Sequence, residues 1–180
     1  MIVALGIALM LCLAALALWL DRPAADDPFR ASLDKRVDVT AGTIYTARFS
    51  DTEGNEQEIG QWQHRLLIIN FWATWCAPCK EEMPMLAKMQ EKFRTKGLQI
   101  VGIAVDSREN VVKFSQKFPA DYPLLPDEAR AIEFSRRLGN RLGLLPFTVI
   151  VRPGGEVIYS HLGIISESQL LDIIVKNIEK

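Results

Sequence analysis

Two cysteines three positions apart, Cys76 and Cys79, stand where an apolar run ends and a helical pattern begins, and that junction constrains the fold more than any other feature. Residues 66–71 (Leu-Leu-Ile-Ile-Asn-Phe) are apolar at nearly every position, which predicts a central strand in a sheet covered on both faces. Residues 80–96 carry a helical pattern interrupted by Pro84, which predicts a kinked helix. Cys76 then precedes that helix, facing its unsatisfied N–H groups and the positive end of its dipole, both of which favour a thiolate. Pro78 suits the first helical turn, where its missing N–H costs nothing. Cys79, about a turn further in, is expected to be the more buried sulfur. A Cys-x-x-Cys pair at a strand-to-helix junction reads as a redox motif.

The remaining pattern predicts an α/β chain. Residues 44–49 alternate as a strand, Asp51-Thr52-Glu53-Gly54-Asn55 forms a turn, and 57–59 return as its partner. Residues 98–105 form a second buried strand, and Asp106 or Ser107 caps a helix over 108–118. Residues 119–126, with three prolines, read as a loop; 127–138 read as a helix ended by Gly139. Residues 147–151 and 157–161 form a hairpin around Pro153-Gly154-Gly155, and Ser166-x-x-Gln169 is a capping box opening a last helix to about residue 178. Strand, helix, strand, helix, then hairpin and helix gives a sheet with helices on both faces.

Of the 180 residues, 49% are hydrophobic, and much of that excess sits in residues 1–20, which hold no charged side chain and no proline. About 20 apolar residues cross a bilayer as a helix. A cleaved signal peptide would want a basic n-region, but no Lys or Arg precedes Arg22; a lipoprotein anchor at Cys12 would want a small residue where Leu11 stands. An uncleaved anchor fits best, followed by a polar spacer over 21–41 and a folded domain over 42–180. Arg22 and Arg30 follow the anchor, which by charge alone favours a cytoplasmic domain. Net charge is −1 with both signs interspersed, so nucleic acid is not an expected partner. Cys12 reads as a small hydrophobe, which leaves Cys76 and Cys79 as the only cysteines outside the anchor, reserved for chemistry rather than for stapling a scaffold.

The run from Asn70 through Trp72, Trp75, Cys76, Pro78, Cys79 and Glu82 to Pro84 resembles the active-site segment of the thioredoxin superfamily. More narrowly, it resembles the membrane-anchored TlpA/ResA-like thiol-disulfide oxidoreductases, with similarity in pattern from about residue 45 to the C-terminus. The resemblance implies a thioredoxin-like fold, a central mixed sheet with helices on both faces, plus an N-terminal hairpin and a transmembrane anchor. It places the domain outside the cytoplasm, against the charge reading. It implies a protein-disulfide reductase in which Cys76 attacks, a mixed disulfide forms, and Cys79 resolves it. Expected partners are disulfide-bearing proteins, apocytochrome c among them, and a membrane thiol-reducing donor; no cofactor is expected.

Around the pair, Glu82 shares a helix face with Cys79 and can either exchange a proton with it or stand as an ordinary exposed carboxylate. Thioredoxins proper carry an Asp where this chain has Asn70, and the ResA-like branch has a Glu at the position of Glu82. Glu81, one residue away, reads as plain surface. Trp72 reads as core and Trp75 as a flat docking surface. X-Pro bonds are cis in only about 5–6% of cases, but the resemblance implies a cis-Pro at Pro146, facing the cysteines. Leu145 then lines the docking groove with Trp75, Pro78 and Pro146, and is bulkier than family members usually carry there. His64 and His161 have no assigned role. A zinc site lacks ligands, since those two histidines stand at no typical spacing. A copper-handling dithiol is the alternative from another class, and a static disulfide in an interaction domain is a third.

Overall fold

The structure is a computed structural model, and it describes residues 41–178. The expected anchor over 1–20 and all but the last residue of the spacer lie outside the described residues. Among the described residues no helix is long and apolar enough to cross a membrane.

The elements are α1 (Ala41–Tyr45), β1 (Arg48–Ser50), β2 (Glu56–Glu58), a 3-10 turn (Ile59–Trp62), β3 (Leu66–Trp72), α2 (Ala77–Phe93), β4 (Leu98–Ala104), α3 (Arg108–Lys117), β5 (Leu124–Pro126), α4 (Glu128–Arg137), β6 (Phe147–Val151), β7 (Val157–Leu162) and α5 (Glu167–Ile178). Strands β3 to β7 form one sheet in the order β5-β4-β3-β6-β7. β3, β4 and β5 run parallel, whereas β6 is antiparallel to β3 and β7 is antiparallel to β6. β1 and β2 pair separately around Asp51, whose Oδ1 accepts from the N–H groups of Glu53 and Asn55, both at 2.9 Å.

Two local readings are corrected. Residues 44–49 are not one strand: a helical turn, α1, precedes a short β1. Ile44 is wholly buried on that turn, and Thr46 Oγ1 donates back to Gly42 O at 2.6 Å, so burial and a local hydrogen bond override β propensity. Residues 119–126 are not all loop. Leu124–Pro126 add an edge strand to β4, where Pro126, lacking an N–H, is tolerated.

β3 is central and all seven of its residues are buried. Successive side chains alternate between two cores. Leu66, Ile68 and Trp72 face a core shared with α2, α3 and α5; Leu67, Ile69 and Phe71 face one shared with α1, α4 and Phe49 of β1. Asn70 falls in the first phase, so it points under α2. The same helix buries Cys79, Glu82, Met83, Leu86, Met89, Gln90 and Phe93, a stripe at three- and four-residue spacing.

Candidate active site

The site lies where β3 ends and α2 begins. Cys76 has extended backbone geometry and is the N-cap of α2, with its sulfur accepting the Cys79 N–H at 3.3 Å. A sulfur therefore occupies the place of a capping oxygen, so negative charge on Cys76 meets both an N–H donor and the helix dipole. Cys76 and Cys79 are joined as a disulfide with Cα atoms 5.3 Å apart. Cys76 retains 5% of its surface and Cys79 1%. Among the described residues no group of His, Cys, Asp and Glu side chains is placed to hold a metal.

The approach to the pair is apolar. Trp75 is 68% exposed beside Cys76, and Ala77 and Pro78 are exposed on the first turn. Phe71 pairs with Phe147, so Pro146 lies at the same end of the sheet as the Cys76 loop. The Leu145–Pro146 bond is cis. Leu145 is half-buried against the core containing both cysteines, which makes it part packing and part surface. The loop ahead of it is held by Asn140, whose Nδ2 donates to Leu144 O at 2.8 Å and whose Oδ1 accepts from Leu144 N at 3.1 Å.

Beneath the pair Glu82 is 2% exposed, not the surface carboxylate that its helix position alone allows. Each carboxylate oxygen has one donor: Ile165 N reaches Oε1 at 2.9 Å and Asn70 Nδ2 reaches Oε2 at 3.0 Å. Burial pushes its carboxyl above the ordinary glutamate value; the two hydrogen bonds and the charge of His161 pull it partly back. One turn after Cys79, Glu82 is a buried carboxyl biased towards holding a proton, matched to accepting one from a thiol or returning it. Glu81 is exposed.

Asp106 was legible only as a possible helix cap; Ser107 takes that role, its side chain accepting from Asn110 N. Asp106 instead clamps the active-site loop. It is 5% exposed and accepts from Thr74 N at 3.0 Å, Thr74 Oγ1 at 2.5 Å, Asn110 Nδ2 at 2.8 Å and Ser107 N at 2.8 Å. Burial alone would raise its carboxyl, but these four donors hold it below the usual aspartate value. Thr148, also missed, accepts from Asn70 Nδ2 at 3.0 Å. A polar residue inside an otherwise apolar strand is the signal that marks both Asn70 and Thr148.

A thioredoxin-like sheet with a Cys-x-x-Cys disulfide at a helix N-terminus and a cis-Pro at the same end defines a protein of thiol–disulfide type. The redoxin family model matches residues 36–174, and the chain belongs to that family as a TlpA/ResA-like member of the thioredoxin superfamily. It is 30% identical over 123 residues to the thiol-disulfide oxidoreductase ResA of Bacillus subtilis (strain 168), covering 68% of this chain and 66% of that protein. It is 31% identical over 113 residues to the ResA of Oceanobacillus iheyensis, covering 62% of this chain and 52% of that protein. The chain thus spans between about half and just under two thirds of the length of these two relatives. The crystal structure of a thioredoxin-related protein from Neisseria meningitidis serogroup B superposes with a TM-score of 0.64 at 32% identity, over 73% of this chain and 99% of that one.

Proposed function

We propose that the protein is a thiol-disulfide oxidoreductase that reduces disulfides of other proteins. The observation that carries this is the position of Cys76: its sulfur caps α2, takes the Cys79 N–H and is the less buried of the pair. The Cys76 thiolate attacks a partner disulfide, forming a mixed disulfide and expelling the partner's other sulfur as a thiol. Cys79, its proton passing to Glu82, then attacks Cys76 Sγ, releasing the partner's second thiol and leaving the Cys76–Cys79 disulfide. Two electrons have moved to the partner, and a thiol donor restores the dithiol. Trp75, Pro78 and the half-buried Leu145 form the surface against which the partner lies, with the cis Pro146 itself buried next to Leu145.

We further propose that residues 1–20 anchor the chain in the cytoplasmic membrane and that 21–41 hold the domain on its extracytoplasmic side. The relatives named ResA and the apolar N-terminal run support this reading. The substrates in that setting are disulfide-bearing proteins, apocytochrome c among them, and a membrane thiol donor restores the dithiol of this protein.

The test is the reduction potential of the Cys76–Cys79 couple in the full chain, equilibrated against glutathione and dithiothreitol buffers. A value near or below about −250 mV is expected; a value near about −120 mV would make the protein a disulfide donor and sink the reductase reading. Cys79→Ser should accumulate a mixed disulfide with a model disulfide protein, and Cys76→Ser should form none.

A further inference from the structure

We propose that His161 is a positioning residue that sets the protonation of Glu82 through the single peptide group joining Ile164 to Ile165. The proposal rests on the reading of Glu82 as the proton partner of Cys79, and extends it to a residue on the edge strand β7.

Residues Leu124, Gly102, Asn70, Thr148 and His161 stand opposite one another in register across all five strands. Register partners share a sheet face, and this row lies on the face beneath α2. Its last three members are polar, in a face otherwise filled by apolar side chains. Asn70 ties the row to Glu82 Oε2. His161, at the row's half-exposed end, approaches the other carboxylate oxygen by a different route. Its Nε2 lies 3.2 Å from Ile164 O. The carbonyl can only accept, so the ring nitrogen carries the hydrogen and donates. The N–H of that same peptide group is the Ile165 N–H that donates to Glu82 Oε1 at 2.9 Å.

One amide is therefore held at both ends, a ring N–H on its oxygen and a carboxylate on its hydrogen. Donation to a carbonyl oxygen polarises the amide and strengthens its N–H as a donor. A stronger donor favours the charged carboxylate over the acid. The ring's orientation is fixed by stacking on Tyr159, with centroids 6.0 Å apart and planes 15° apart. Among the described residues, the other polar and ionisable groups tied to Glu82 include Asn70 from β3 and Tyr122 from the segment before β5, with Cys79 one turn earlier on α2. Of the groups tied to Glu82 from outside its own helix, His161 stands at the half-exposed end while Asn70 and Tyr122 are buried, so His161 gives solvent a hold on a carboxyl that solvent does not touch.

The test follows the Glu82 carboxyl directly, by carbon NMR of side-chain-labelled glutamate in the reduced full chain, with Glu82→Gln identifying its resonance. Replacing the donor by His161→Leu should move the Glu82 titration midpoint upward by about half a pH unit or more, and His161→Gln, which keeps an N–H donor, should recover part of that shift. Should His161→Leu fail to fold, His161→Phe keeps the stacking on Tyr159 without the donor and reads the same quantity. A midpoint unmoved in every donor-less variant that folds overturns the proposal. The pH profile of Cys79 alkylation in a Cys76→Ser background separates it from the underlying reading. A profile that moves with the Glu82 midpoint, and no longer responds to His161 in Glu82→Gln, supports both. A moved Glu82 midpoint with an unmoved Cys79 profile supports the His161 coupling and overturns the role of Glu82 towards Cys79.

Discussion

The two faces of the five-stranded sheet are packed to different ends. Beneath α4 the strands present only buried apolar side chains at their centre, with Phe71 tilted against Phe134 and Phe147 at centroid distances of 5.9 and 6.0 Å. Beneath α2 the same strands present Asn70 and Thr148, and the helix adds Glu82 and Gln90, all buried. An apolar core is stabilised by area alone. A buried polar group costs free energy unless each of its bonds is made. The contrast teaches that the α4 face is built for stability and the α2 face for chemistry, at some cost to stability.

The contrast breaks most visibly on the α4 side. Phe71→Ala should destabilise by about 3–5 kcal/mol in denaturant unfolding, the usual range for a buried aromatic, while leaving the reduction potential of the couple unchanged. A shifted potential would show that the two faces are not separable.

Asp106→Ala should cost about 2–4 kcal/mol, since it removes a carboxylate holding four donors. The sign of its pH dependence follows from the lowered carboxyl. The stability Asp106 contributes is complete above the unfolded value of 3.8 and is lost as pH falls through the lower folded value. Wild type and variant should therefore converge in acid, which unfolding curves at a series of pH values will check.

Gln90→Leu should cost about 1–3 kcal/mol, although it places an apolar side chain in an apolar core. Gln90 Oε1 accepts the Ile100 N–H of β4 at 2.6 Å, at a level that the short β5, pairing only with Gly102–Ala104, does not reach. Amide exchange at Ile100 should accelerate in the variant, and an unchanged rate would mean that another acceptor serves that N–H.

The smallest effect carries the opposite sign. The Glu82 carboxyl is raised in the folded state, so the fold binds its proton more tightly than the unfolded chain does, and stability falls as pH rises from the unfolded value of 4.5 through the folded one. Glu82→Gln should therefore match wild type in acid and become the more stable protein at neutral pH. Its exchange rate should drop by at least about tenfold through loss of the proton acceptor. A variant less stable than wild type at neutral pH would place Glu82 among the structural residues.

Much of this was open to reading along the chain, because the signals are local. The strand at Leu66–Trp72, the helix that follows Cys76, the Ser166–Gln169 capping box and the turn at Gly154 follow from periodicity, capping and conformational freedom within a few residues. α1 and β5 were misread because their conformations come from contacts distant in the chain: Ile44 takes its place in the α4 core, and Leu124–Pro126 exist as a strand only because β4 offers an edge.

Helical spacing, read from the chain alone, puts two sulfurs at the start of one helix and a carboxylate one turn on. The condition of that carboxylate comes from contacts distant in the chain. Its burial comes from β3 and the Ile165 segment, and its two donors are 12 and 83 residues away along the chain. The electrostatics of a buried charge depend on everything that excludes water from it, and no local pattern in a chain records that.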